Sequence, residues 1–205
     1  MSAVTIIGAG NMAAAIAGVV ANGANTVQVL SKDPQKASTV IPAAAHGAVG
    51  EPITGDIVIL ALPYPAVFDV LSHYAGALDG KVIVDITNPV DFATFDSLVV
   101  PVGSSAAEVI AETLPGATVL KAFNTTFAAT LASGTVGAQR TTVLIAGNDS
   151  EAKAALSDVI EAGGLRAVDA GSLRRAHELE ALGFLQLSLA AGNKTSWASG
   201  FALAE

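Results

Sequence analysis

The feature that most constrains this sequence lies in its first 21 residues. A β-branched run from Val4 to Ile7 closes on Gly8-Ala9-Gly10 and gives way to a small-residue stretch of good helical propensity, Asn11 to Ala21. Strand, glycine turn and helix in that order open a βα unit. The spacing Gly8-x-Gly10-x-x-Ala13 meets a specific physical demand. It allows a tight bend at the first position, backbone approach to a pyrophosphate at the second, and close helix packing at the third. Three small residues in an alanine-rich chain carry little alone; their place after a strand and at the mouth of a helix makes them a dinucleotide turn rather than a structural one.

The pattern repeats down the chain. Thr26 to Leu30 predicts a second strand, and Asp33-Pro34 supplies an N-cap followed by Pro at the first helical position. Ile57 to Leu62 is a continuous apolar run, as a parallel strand covered on both faces is, and Val82 to Ile86 repeats the strand pattern, with a helix opened by Pro63 and Pro65 between them. Phe92 to Val102 reads as an irregular link, and Ser105 with Glu108 as a capping box on a helix over Ala106 to Leu114. Strands at Thr118–Ala122, Thr142–Ala146 and Leu165–Val168 follow, with an Asp149-capped helix to Ala162 and a last helix from Leu173 to Ala190. Strands alternating with helices imply an α/β fold with a doubly wound, mostly parallel sheet.

Composition narrows the function. The chain is 205 residues long, 52% hydrophobic and 14% charged, yet every apolar run is cut before the ~18 residues a spanning helix needs. No basic residue precedes Lys32, so a secretory leader is not expected and the protein reads as cytoplasmic. Zero Cys removes Cys-ligated metals, three scattered His leave little material for a His-rich metal site, no metal is expected, and any redox chemistry must use a borrowed cofactor. A net charge of −8 opposes binding to nucleic acid or anionic lipid.

In NAD-binding turns an acid about 20 positions on holds the ribose 2′-hydroxyl. Here Ser31 stands in that place, followed by Lys32 and, one helical turn on, Lys36. The exchange of an acid for cations predicts a 2′-phosphate and so NADP(H). The other strand ends read Leu62-Pro63-Tyr64, Thr87-Asn88-Pro89 and Phe123-Asn124-Thr125, with no Lys, His or carboxylate among them. No acid or base is therefore assigned as catalytic. An acceptor that delocalises its own charge, such as a flavin or deazaflavin ring, needs mainly a flat slot and correct distance. Asn88 and Asn124 either bond such a ring or the nicotinamide carboxamide, or brace their turns. Trp197 and Phe201 line the slot, fill an interface or close the core. His46, His73 and His177 read as surface or packing residues.

Several segments together resemble a known family, the NADPH-dependent reductases of the deazaflavin coenzyme F420. They are Gly8-Ala9-Gly10-Asn11-Met12, Ser31-Lys32, Ser104-Ser105-Ala106-Ala107-Glu108, Lys121-Ala122-Phe123-Asn124-Thr125 and Val168-Asp169-Ala170-Gly171-Ser172-Leu173. The resemblance implies a Rossmann domain over residues 1–140 and a small C-terminal part over 141–205 that completes the acceptor site and forms a homodimer interface. It implies hydride exchange between NADP(H) and the deazaflavin. Carried over by position, Asn11 and Met12 meet the pyrophosphate, Ser31 and Lys32 the 2′-phosphate, and Pro63 and Ala122 the nicotinamide, with Leu62 beside them. Pro89, Phe123, Asn124, Thr125 and Trp197 are the expected acceptor contacts. Archaeal members carry a His near Phe123 or Asn124; the Phe-Asn pair here is similar to the NADPH domain of metalloreductases, which use a flavin. FMN or FAD is thus the alternative acceptor, and an NADP(H) sensor without turnover a second one. The opening residues also resemble pyrroline-5-carboxylate reductase, whose long helical dimerisation domain this chain is too short to hold.

Overall fold

A computed structural model describes residues 1–204. The expected strands appear as β1 (Ala3–Ile7), β2 (Thr26–Ser31), β4 (Ile57–Leu60), β5 (Val82–Asp85), β6 (Thr118–Lys121), β9 (Thr142–Gly147) and β10 (Arg166–Gly171). Between them run α1 (Asn11–Asn22), α2 (Pro34–Val40), α3 (Tyr64–Ser72), α4 (Ala106–Thr113) and α6 (Ser150–Ala162), and α7 (Ala176–Ala191) closes the series. Asp33, Ser105 and Asp149 cap α2, α4 and α6 through their side chains, each satisfying helix N–H groups that would otherwise lack partners.

Four elements have no counterpart in the sequence reading. Edge strand β3 (Ala45–Ala48) has the poor β-formers Ala, His, Gly and Ala, and exists because β2 offers it a parallel partner from Gln28 to Ser31. Helix α5 (Ala128–Ser133) is one and a half turns long and ends at Gly134 with φ +73°. The two-residue strands β7 (Thr135–Val136) and β8 (Gln139–Arg140) form a hairpin around Gly137.

All strands but β7 and β8 join one sheet in the order β10-β9-β6-β5-β4-β1-β2-β3. Every neighbouring pair is parallel except β6 and β9. This is the Rossmann-type doubly wound sheet, and residues 141–204 supply its last two strands. From β1 the chain runs outward through β2 to β3, then returns to the other side of β1 with β4. The order reverses between β1 and β4, and in open α/β sheets a crevice opens there, outside the carboxyl ends of the strands. One core layer packs α1, α5 and α6 on one sheet face through Ile16, Val20, Leu131, Leu156 and Ile160; the other packs α3 and α4 through Val67, Val70 and Ile110.

Helix α6 is joined to the first layer by Leu156, which has no exposed surface. Leu156→Ala leaves a cavity there, and urea unfolding should show a loss of about 2–5 kcal/mol. A loss under about 1 kcal/mol would mean that this helix does not seal the sheet.

Candidate functional site

The glycine turn sits at the switch point between β1 and β4. Gly8 has φ +132°, and a Cβ there would lie 2.1 Å from the Ala61 carbonyl oxygen, so no other residue fits without moving the end of β4. Its N–H donates to the Leu30 carbonyl at 2.8 Å, tying the turn to β2. Gly10 is extended and open: a Cβ there would meet nothing within 4 Å. Helix α1 then starts with no side-chain cap and no acid in its first turn. Its leading N–H groups and positive dipole end are left for an anion, which is what a dinucleotide pyrophosphate supplies. Asn11 and Met12 line the cleft in front of them.

At the end of β2, Ser31 is buried and its hydroxyl accepts from the Asp33 N–H at 3.2 Å. Asp33 caps α2, accepting from the N–H groups of Gln35 and Lys36. The Lys32 ammonium lies 2.6 Å from Asp69 on α3, with both side chains about three-fifths exposed. That bond holds the Asp69 carboxyl below the usual carboxylate range. A pair this exposed is worth little, so a dianionic phosphate can compete for Lys32. Lys36 is exposed beside it.

The cleft in front of α1 has a volume of about 390 Å³. Its floor is Ile86, Asn88 and Asn124 at the ends of β5 and β6, and its far wall is Phe127, Leu187 and Trp197. The Phe127 and Trp197 rings are 5.1 Å apart at 53°. None of the side chains lining it titrates near neutrality. The sequence brought Asn11, Met12, Asn88, Asn124 and Trp197 to this cleft; it missed Ile86, Phe127, Leu187 and the Thr126–Ala129 segment, where the unforeseen α5 begins. Phe127 had a signal, an aromatic six residues past the end of the apolar strand β6. Phe123 instead turns its ring into the core at 1% exposure, on a backbone with φ +63°. Its carbonyl accepts from both the N–H and the hydroxyl of Thr126. Thr125 is buried against Leu182 and Phe201 in a separate small pocket. Pro89 and Ala122 are buried, Leu62 is half-buried and Pro63 exposed at the start of α3. His46 and His73 are exposed and His177 half-buried.

Asn88 and Asn124 brace each other. Asn88 Nδ2 donates to the Asn124 carbonyl at 2.8 Å, and Asn124 Nδ2 donates to Asn88 Oδ1 at 2.9 Å and to the Leu179 carbonyl at 2.8 Å. Helix α7 reaches them only because residue 183 is Gly: a Cβ there would stand 2.4 Å from Asn88 Oδ1. Asn124 Oδ1 is buried with no protein partner, and so is Thr87 Oγ1. A buried acceptor left free at the floor of a cleft fits a ligand N–H, such as a carboxamide or a ring imide.

Directly behind this floor is a charged cluster that the strand-end reading did not anticipate. Lys121, the last residue of β6, has no exposed surface and lies 2.7 Å from Asp85 Oδ2 and 2.7 Å from Glu180 Oε1. It also donates to the Thr87 carbonyl at 2.5 Å. Asp85 Oδ1 accepts from the Thr87 N–H at 2.8 Å, and Glu180 Oε2 accepts from the Ala106 N–H at 2.9 Å, at the start of α4. Burial pushes the Glu180 carboxyl up, while Lys121 and the Ala106 N–H pull it back. Burial, with the charges of Glu180 and Asp85, also raises the nearby Tyr64 hydroxyl.

Comparisons with known proteins bear on this site. Residues 3–89 match the model of the family described as NADP oxidoreductase, coenzyme F420-dependent. The metalloreductase STEAP3 of Rattus norvegicus is 32% identical over 180 residues, 87% of this chain and 36% of its own. An F420-dependent NADP reductase of Methanocaldococcus jannaschii is 32% identical over 139 residues, 66% of this chain and 62% of its own. The chain thus spans about a third and three-fifths of the lengths of these curated relatives. Among solved structures, a proposed F420-dependent NADP reductase from Arthrobacter sp. FB24 superposes with a TM-score of 0.84 at 25% identity, covering 98% of this chain and 99% of that one.

The buried cluster makes its own prediction. Lys121→Met would strand two carboxylates without a cation, a loss of about 3–5 kcal/mol. Chemical unfolding at neutral pH checks this, and a loss within 1 kcal/mol would mean that the carboxylates are not held by Lys121.

Proposed function

We propose that the chain, whose residues 3–89 match the model of the coenzyme F420-dependent NADP oxidoreductases, works as a member of that family and transfers a hydride between NADP(H) and a deazaflavin. One observation carries the reading. The cleft at the switch point pairs a bare helix N-terminus with a slot that has an aromatic wall, a free amide acceptor and no titrating side chain. Reactions that move a hydroxyl proton ask for a positioned acid or base. An acceptor ring that spreads its own charge does not, so a dry and correctly spaced slot suffices.

In this reading each residue binds or orients. Gly8 and Gly10 hold the turn open, and the first N–H groups of α1, at Asn11 and Met12, take the pyrophosphate. Ser31, Lys32 and Lys36 take the 2′-phosphate, for which Lys32 leaves Asp69. Leu62, Pro63 and Ala122 border the nicotinamide region, and Asn124 Oδ1 accepts a ligand N–H while Asn88 fixes the amide's orientation. Bound NADPH supplies the hydride. Phe127, Leu187 and Trp197 keep water from the exchange and give a tricyclic ring a face to lie against. Phe123, Thr125 and Pro89 act from behind, by shaping the strand ends. The reading places the protein in the cytoplasm as a homodimer, for which the exposed Leu185, Phe201 and Leu203 of the C-terminal part offer apolar surface.

A second reading keeps NADPH and replaces the acceptor by FMN or FAD. Its support is the identity to a metalloreductase across most of this chain and the Phe123-Asn124 pair at the end of β6.

Anaerobic NADPH oxidation with the deazaflavin, FMN and FAD offered separately distinguishes these readings. Fast, reversible exchange with the deazaflavin alone is expected. Turnover with a flavin alone would transfer the chain to the second reading, and binding of NADPH without turnover on any of the three would make it a sensor. Because Trp197 is the single tryptophan, its emission should be quenched when the acceptor binds, and unchanged emission would remove Trp197 from the slot. Lys32→Glu should raise the KM for NADPH at least about tenfold, since it exchanges attraction for repulsion at a phosphate, while leaving that for NADH within about twofold. Equal effects on both would take the 2′-phosphate away from Lys32.

A further inference from the structure

The cluster of Asp85, Lys121 and Glu180 has no part in that reading, although it is the most deeply buried set of charges among the described residues. A buried Lys–Asp pair alone would be neutral. Glu180 adds a second carboxylate, and a fold that needed only cohesion here would be served as well or better by apolar side chains of the same volume. What Glu180 adds is charge.

All four carboxylate oxygens accept a hydrogen bond. Asp85 Oδ1 takes the Thr87 N–H and Oδ2 the Lys121 ammonium; Glu180 Oε1 takes Lys121 and Oε2 the Ala106 N–H. A further contact runs from the Ala107 N–H to Glu180 Oε1 at 3.4 Å. With a donor on every oxygen, the geometry is that of two carboxylates around one ammonium, with a net charge of −1. The α4 N-terminus offsets part of it, as a helix end contributes roughly half a unit charge. The Tyr64 hydroxyl, held up by burial and by the charges of Glu180 and Asp85, adds no charge of its own.

The cluster is also coupled directly to the cleft floor. Lys121 holds the carbonyl of Thr87, the residue before Asn88, and Glu180 follows Leu179, whose carbonyl receives the Asn124 amide. A nicotinamide ring is neutral when reduced and cationic when oxidised. We propose that the Asp85–Lys121–Glu180 cluster sets the preference between the two forms of the dinucleotide: its fixed negative charge behind the cleft floor favours NADP⁺ over NADPH. The inference rests on the reading that the nicotinamide end enters this cleft. These residues act through their field, not by contact, and the consequence is directional. A site that holds the oxidised form more tightly leans toward giving up the hydride, and so toward reducing the acceptor.

The test is equilibrium binding without any acceptor. Dissociation constants for NADP⁺ and NADPH are measured by calorimetry, anaerobically and at neutral pH, for the wild-type protein, Glu180→Gln and Asp85→Asn. Each substitution makes the cluster neutral from a different element. A unit charge at an effective dielectric of ~20 and a separation on the order of 10 Å weighs about tenfold on the affinity of an ion. The expected result is therefore an approximately tenfold weaker Kd for NADP⁺ in both variants, with that for NADPH within about twofold. A packing defect weakens both forms alike, and an unchanged ratio overturns the proposal however far the two constants move together. The wild-type protein gives an arm that needs no variant: it should bind NADP⁺ more tightly than NADPH, and the opposite order overturns the proposal even if neither variant folds. Wild-type protein that binds neither form sinks the dinucleotide reading instead.

Discussion

A single lysine with no exposed surface holds together the part of this molecule where chemistry can happen. Lys121 ends β6, its carboxylate partners come from β5 and α7, and one of those partners also caps α4. Elements far apart in sequence are thereby locked at one point behind the strand ends. The parallel strands β5 and β6 could slide or splay at their carboxyl ends without loss of apolar burial, because the hydrophobic effect has no direction. An ion cluster with each oxygen engaged has direction, and its members cannot be displaced singly without stranding a charge in a dry environment. The Asn88–Asn124 brace and the close approach of Gly183 are built on that lock.

In front of it the design is the reverse: groups are left without protein partners. Helix α1, like α3 and α7, begins with no capping side chain, Gly10 faces open space, and Asn124 Oδ1 is buried and unbonded. The unpaired N–H groups and the unpaired amide oxygen each cost stability unless a ligand satisfies them. Their concentration at the switch point, against a fully satisfied cluster one layer behind, separates the surface that receives a ligand from the scaffold that holds it.

The strand-turn-helix opening, the apolar strands and the capped helices were legible in the sequence because each is specified locally. The glycine positions follow from backbone sterics, the caps from unpaired N–H groups, the strands from burial on both faces. What escaped depends on partners distant in the chain. Strand β3 exists only as an edge added to β2, and α5 is too short to declare itself by periodicity. The slot residues Phe127 and Leu187 come from helices that meet only after folding. The placement of Phe123 turns on one backbone angle in the left-handed region, which carries its ring inward and leaves Asn124 facing the cleft.

The ion cluster was missed for a different reason, and its signal was there. The runs Val82-Ile83-Val84-Asp85 and Thr118-Val119-Leu120-Lys121 each end an apolar strand on a charge, and the two strands pair in register with Asp85 beside Lys121. Opposite charges at the same level of adjacent buried strands can only be an ion pair, since an isolated buried charge would neutralise or stay in water. Inspecting the residues just beyond each strand, where ligands bind, passed over the residues just inside it. Those inner residues set the electrostatic potential in which any ligand at the strand ends must sit. A site with no titrating group among its contacts can still have its energetics governed by charges one layer away, because low polarisability behind the cleft lets their field through.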